Sequence, residues 1–314
     1  FSPMLIGGSS ANDEKSGKAA RDAEKGATTL LQKAAYRAIS SVLQHSAAQS
    51  YDGQQVLNMW NLLREARQAC EAPALKGRLL AISALLSLME QRLTPLLSQP
   101  AMRQEYLQCL TTVLPEILFR LRDQSIGVRE AARDCLRIAA TTAIHGELSN
   151  EIVTLLSAGL AGLTPYSRAS AVDALSRMLY EHAGRLAAAL QYRLVQVVLL
   201  LLQDSDAAVY RAALKFTKVV VFVTPRDALT DHVPLIVKLF NSSHLTSAKM
   251  LVRKIVERLL RVLPEEVVLE SFPKAHLPLL NYIQRLLARR GRPKSVLANT
   301  ETGAGEDEAG QDAD

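Results

Sequence analysis

Aromatic residues make up only 5% of the 314-residue chain, with one Trp. An interior with so few rings must be filled by Leu, Ala and Val, which suits close helix packing and counts against a β-sandwich. Cysteine is scarce as well. Cys70, Cys109 and Cys135 share no short spacing and lie within helical patterns, which excludes a disulfide framework and reads as buried thiols in a reducing compartment. Glycine is sparse inside the periodic segments, and the prolines Pro73, Pro95, Pro165, Pro225, Pro264 and Pro273 fall where helical patterns stop, as suits a residue that cannot continue the helix ladder. The longest uninterrupted apolar candidates are cut by Gln196, Gln203 and Lys218. They stay short of the ~18 residues a bilayer crossing needs, so the chain reads as soluble, with no membrane partner.

Catalytic signatures are missing too. Gly-x-Ser-x-Gly, His-Glu-x-x-His and Cys-x-x-Cys do not occur, and His45, His145, His182, His232, His244 and His276 are scattered along the chain. Gly17-Lys18 resembles the end of a phosphate-binding loop, yet Asn12 stands where that loop needs Gly and Ala19 where it needs Ser or Thr. The expectation is a protein that is not an enzyme, with no catalytic residue, metal ligand, cofactor or small-molecule substrate. The start, Phe1-Ser2-Pro3, has no initiator Met and no secretory pattern follows, so the chain reads as part of a longer protein.

What the sequence does contain is repetition. Leu121-Arg122-Asp123-Gln124-Ser125-Ile126-Gly127-Val128-Arg129-Glu130-Ala131-Ala132 aligns with Leu202-Gln203-Asp204-Ser205-Asp206-Ala207-Ala208-Val209-Tyr210-Arg211-Ala212-Ala213 at the Leu, Asp, Val and Ala-Ala positions, 81 residues apart. That offset is two units of about 40, and Ser167–Leu175 supplies the middle one, with Ala171 39 residues after Ala132 and 42 before Ala213. Helix pairs of that length belong to the HEAT and armadillo class, in which each pair buries its apolar face only against its neighbours. The sequence therefore predicts an all-α HEAT/armadillo-like solenoid of stacked antiparallel helix pairs, a shape suited to holding partners. The polar corner Gln203–Asp206 and the helix Ala207–Val223 form its most legible hairpin.

Three regions follow from composition. Residues 1–26 mix Gly, Ser, Asn, Asp and Lys without periodicity and read as a flexible linker; residues 27–294 carry the helical pattern. Residues 295–314 hold six acids, Glu301, Glu306, Asp307, Glu308, Asp312 and Asp314, with no base, and read as a disordered tail. That tail conceals the charge of the rest: without its six acids, 25 of the 31 acids face 37 bases, a formal +12.

The basic excess concentrates late in the chain. On the segment Leu245–Leu263, Lys249, Arg253, Glu257 and Arg261 fall at i, i+4, i+8 and i+12 with Arg258 alongside, while Val252, Ile255, Val256, Leu259 and Leu260 face the other way. From Lys274 to Lys294, Lys274, Arg285, Arg289, Arg290, Arg292 and Lys294 have no acid among them. A solvated face explains the helix equally well, and a nuclear-localisation signal explains the Arg289–Lys294 cluster. An uncompensated basic cluster otherwise calls for phosphate or acidic protein to meet it. Lys249, Arg253, Arg258, Arg261, Arg285, Arg289, Arg290, Arg292 and Lys294 are therefore the candidate RNA-phosphate or partner-binding residues. Tyr210, Phe216 and Phe222 share one helical pattern and read as filler between repeats, so contact with RNA is expected at phosphates and duplex shape rather than at bases.

Those same residues carry a family resemblance. The run Leu214-Lys215-Phe216-Thr217-Lys218-Val219-Val220-Val221, the helix Lys249 to Arg261 and the segment Leu279-Leu280-Asn281-Tyr282-Ile283-Gln284-Arg285 are similar to the C-terminal part of the ribosomal RNA processing protein 12 family. The similarity is sequence-level over about 195–290 and architectural upstream. Where that family usually has an aromatic-Gly pair after the Arg-rich helix, Val262-Leu263-Pro264 stands here. The resemblance implies a non-catalytic, nucleolar or nuclear HEAT-repeat scaffold of ribosome biogenesis. Its partners would be small-subunit precursor particles, pre-rRNA and assembly proteins, and its roles would be in pre-rRNA processing and subunit export. The alternative is a karyopherin-like or adaptor solenoid that grips peptides without RNA. A third option is a phosphatase or kinase scaffold, which no residue favours.

Overall fold

The computed structural model describes residues 11–45, 51–67 and 70–290. Among them every regular element is helical: α1 (Ala11–His45), α2 (Gly53–Glu65), α3 (Leu75–Leu93), α4 (Pro100–Arg120), α5 (Ile126–His145), α6 (Ser149–Ala158) and α7 (Pro165–His182). They continue as α8 (Ala188–Leu199), α9 (Ala207–Val223), α10 (Arg226–Ile236), α11 (Lys249–Val262), α12 (Glu265–Ser271) and α13 (Leu277–Arg290). The odd-numbered helices lie side by side, each packed on the next from α1 to α13. The even-numbered helices cover them as a second layer, with α2 on α4, α4 on α6, α8 on α10 and α10 on α12. Each hairpin meets its neighbours in sequence, which makes the fold an all-α solenoid of stacked helix pairs.

Small side chains permit this close stacking. Ala131, Ala132, Ala171, Ala212 and Ala213, the residues that revealed the repeat, are all buried. Leu79, Leu85, Leu110 and Leu175 fill the space between layers and are fully buried, each contributing roughly 1.5–3 kcal/mol relative to an exposed side chain. Gly159 is required where α6 ends, because a Cβ there would come within 2.8 Å of the Ala171 Cβ on α7.

The aligned corners perform the same chemistry. Asp123 accepts a hydrogen bond from the Ser125 amide at 3.0 Å, and Asp204 accepts one from the Asp206 amide at 2.9 Å. These two-residue turns end one helix and aim the next. Asp206 then caps α9 by accepting from the amides of Ala208 and Val209. Arginines tie one repeat to the next: Arg168 holds Asp204 through Nε and Nη2, and Arg122 reaches Asp173 at 2.8 Å. Deeper in the stack, the buried Arg78 of α3 clamps both carboxylate oxygens of Glu116 on α4, at 2.7 and 3.0 Å, and donates to the Leu63 carbonyl at the end of α2.

Several expectations change. The linker assigned to residues 1–26 is helical from Ala11 onward. That stretch is polar but rich in Ala, Lys, Glu and Arg, and intrinsic helix propensity carries it without an apolar stripe. Residues 1–10 and the acidic tail 295–314 lie outside the described residues. The segment Ala72–Leu96, helix α3 with the 3-10 turns at its two ends, is long and apolar enough to cross a bilayer by length and composition. A search for unbroken apolar runs passes it over because Lys76, Arg78 and Glu90 interrupt it. In the fold that segment lies between α1 and α5, with 56% of its most apolar window buried. Pro115 and Pro234 sit inside α4 and α10 rather than at ends. Both are on exposed faces, where water meets the carbonyls they free. The two-turn helix α12 has no counterpart in the sequence reading, being too short to show a period.

Candidate nucleic-acid interface

The inner helices of the odd-numbered row, α3 to α11, bury three sides, against two neighbours and the covering layer, and leave one row of side chains outward; α13, at the end, packs on α11 alone in that row. On α5 that row mixes signs, with Glu130, Asp134 and Arg137 exposed. On α7 it carries Arg177 paired to Glu181, and Tyr180. From α9 the sign becomes uniform. Arg211, Lys215 and Lys218 are exposed at i, i+4 and i+7, followed by Phe222 at i+11, and among the described residues these three bases make no ion pair.

The next helix continues the surface. Lys249, Lys254 and Arg261 of α11 are exposed, and Arg253 and Arg258 are half-buried. Arg261 donates to Glu257 at 2.7 Å, so that part of the face is the ordinary i, i+4 pair. Arg253 and Arg258 are held otherwise. The Arg258 guanidinium lies over the Phe222 ring of α9, 5.5 Å from its centroid, and Arg253 lies over Tyr282 of α13 at 5.6 Å. Cation–π contact fixes both stems without neutralising their charge. On α13, Tyr282, Arg285 and Arg289 are exposed at i, i+3 and i+7, while Leu280 and Ile283 anchor the opposite side.

The structure thus brings Arg253 and Arg258 of the nine sequence candidates into contact with neighbouring helices and leaves Lys249, Arg261, Arg285 and Arg289 in solvent. Arg290 closes α13, and its side chain, like Arg292 and Lys294, lies outside the described residues. Sequence reasoning did not single out Arg211, Lys215, Lys218 and Lys254. The first three were recoverable, since their spacing is the same row rule applied one helix earlier. Phe222 is corrected: Tyr210 and Phe216 are buried as expected, but Phe222 is 59% exposed. It meets Tyr180, itself 58% exposed, with ring centroids 6.0 Å apart. The register of α9 decides this, for residues 210, 213, 216, 217 and 220 face the core and position 222 falls outside that arc.

Elsewhere, the buried charges Arg78 and Glu116 are paired, while Ser170 Oγ, His182 Nε2 and His232 Nδ1 are buried with no hydrogen-bond partner among the described residues. A cavity of about 530 Å³ between α2, α3 and α4 is lined by Trp60, Arg64, Arg67, Arg78 and Glu116. Its most buried pair, Arg78 and Glu116, is mutually committed. Burial, the largest single influence, opposes the Arg78 charge, but hydrogen bonding and charge attraction to Glu116, with smaller contributions from Tyr36, together outweigh it, so its pKa is raised. Burial pushes the Cys109 thiol up to about 12 and moves Cys135 in the same direction, away from nucleophilic thiolate chemistry. Among the described residues no cluster of three His, Cys, Asp or Glu side chains has the proximity to hold a metal ion.

No family model matches the chain. It is similar to ribosomal RNA-processing protein 12 of Saccharomyces cerevisiae, 23% identical over 289 residues and covering 85% of this chain. It also resembles a putative ribosomal RNA-processing protein 12 of Schizosaccharomyces pombe, 22% identical over 85% of the chain, and an RRP12-like protein of Gallus gallus, 24% identical over 89%. The resemblance read from residues 195–290 therefore extends over most of the sequence. The chain spans about a fifth of the length of these relatives, 22%, 23% and 21% respectively.

Proposed function

We propose that the chain is a non-catalytic scaffold segment acting in ribosomal RNA processing, in the nucleolus or nucleus, which holds pre-ribosomal particles through its cationic end. The names of its relatives support the process. The single observation that carries the mechanism is the change of sign along the solenoid: outward rows mix acids and bases on α5 and α7 and become almost wholly basic on α9, α11 and α13. A cationic face of several helices attracts a polyanion, and rRNA phosphates on a small-subunit precursor are the polyanion that fits this process. Assembly proteins with acidic surfaces share the same cradle, and accompanying the particle during export follows from staying bound to it.

Affinity purification of the chain with and without ribonuclease tests this reading. Loss of pre-ribosomal proteins after digestion is expected. Retention of all partners after digestion favours an adaptor that grips peptides and overturns the RNA contact.

A further inference from the structure

The exposed rings on α7 and α9 carry the reading beyond phosphates. Tyr180, Phe222 and the Arg258 guanidinium form a continuous line across α7, α9 and α11, with 6.0 Å between the two rings and 5.5 Å from guanidinium carbon to the Phe222 centroid. Neither ring is filling the core, since both are more than half exposed. One turn below Phe222 begins the unpaired row Lys218, Lys215 and Arg211. A second such unit lies one helix on, where Tyr282, 51% exposed, holds Arg253 beside Arg285 and Arg289.

Flat apolar faces set at the head of a basic row are what single-stranded nucleic acid requires. The row neutralises successive phosphates, and the rings accept unpaired bases by stacking, which any base supplies. A duplex keeps its bases stacked inside and presents only phosphates and 2′-hydroxyls, so it has no use for the rings. An acidic peptide would use the Lys and Arg row but gains little from two adjacent exposed aromatics. We infer that the α7–α9–α11 ridge is a binding site for unpaired RNA, with bases stacked on Phe222 and Tyr180 and phosphates on Arg211, Lys215 and Lys218. This deepens the proposed function and rests on it.

The test compares a fluorescent 12-nucleotide uridine oligomer with an A-form RNA duplex of the same length, by anisotropy, on the full 314-residue chain. Tyr180→Ala/Phe222→Ala removes the rings and no charge; Lys215→Glu/Lys218→Glu reverses the row. Both pairs are exposed, and circular dichroism melting confirms that each variant folds. The ring variant is expected to weaken oligomer binding by about tenfold or more while leaving duplex binding and the salt slope unchanged. The charge variant is expected to weaken both ligands and to flatten the salt slope. Oligomer binding by the ring variant equal to that of the unmodified chain overturns the stacking site. If an oligo-glutamate peptide binds the unmodified chain as tightly as the uridine oligomer and competes with it, the ridge is a protein-docking face and the inference fails. Should the unmodified chain bind neither RNA, the broader proposal fails with it. Binding that responds to Arg285→Glu/Arg289→Glu but not to the ring variant leaves the broader proposal standing and removes only this one.

Discussion

Glu116 is the side chain on which α3 and α4 most depend, because it neutralises a buried guanidinium. Glu116→Ala leaves Arg78 buried and unpaired, and loss of one partner of such a pair costs about 3–5 kcal/mol. Chemical unfolding should show this as a large fall in the midpoint. Removing Asp173 from the half-exposed pair with Arg122 should cost roughly 1 kcal/mol or less. Two histidines set a pH dependence. Burial lowers the pKa values of His182 and His232 below the ordinary 6.5, so the unfolded chain binds their protons first. Their neutral forms support the fold fully above about pH 6.5, and that support drains away as pH falls toward and through the lowered folded-state values. His182→Gln/His232→Gln should therefore flatten the decline in unfolding free energy between pH 7 and pH 5. At this scale sequence alone showed little. That Cys109 and Cys135 are buried could be read from their helical register, whereas Arg78 looked like any surface arginine until the fold placed Glu116 against it, 38 residues away.

Helices were far more legible than side-chain partners. The α9 boundaries Ala207–Val223 emerge from the sequence as they stand in the fold, because the Asp206 cap and the apolar stripe that follows are both local signals. The first half of α1 was not legible as helix, since periodicity is a signature of packing and that half has no stripe to show. The uniformly basic row on α9 went unnoticed for a different reason. Its bases are separated by apolar residues, so no cluster appears in the linear text, and only the helical projection gathers them. On α13, Arg285→Glu/Arg289→Glu places like charges where the account puts phosphate. It should reduce association with pre-ribosomal particles severalfold or more without altering the melting temperature, because both side chains are exposed. Sedimentation of the tagged variant through a sucrose gradient reads the outcome. An unchanged distribution would remove α13 from the interface.

Across the whole molecule, the serial topology spreads the site over parallel helices instead of folding it into a pocket. Each hairpin depends on its neighbours for burial, so the cationic rows are held at fixed spacing by the same packing that stabilises the stack. The formal +12 of residues 1–298 predicts that affinity for single-stranded RNA falls with salt at roughly 0.7 logarithmic units per phosphate neutralised. A slope near zero would mean that the charge gradient plays no part in binding. The most direct measurement is ultraviolet crosslinking of the chain to RNA in cells, followed by mass spectrometric identification of the crosslinked peptides. The account predicts crosslinks on α7, α9, α11 and α13, concentrated near Tyr180, Phe222 and Tyr282, and none on the mixed-charge face of α5. Crosslinks confined to residues 53–145, or absent while the chain still purifies with pre-ribosomal proteins, would contradict it.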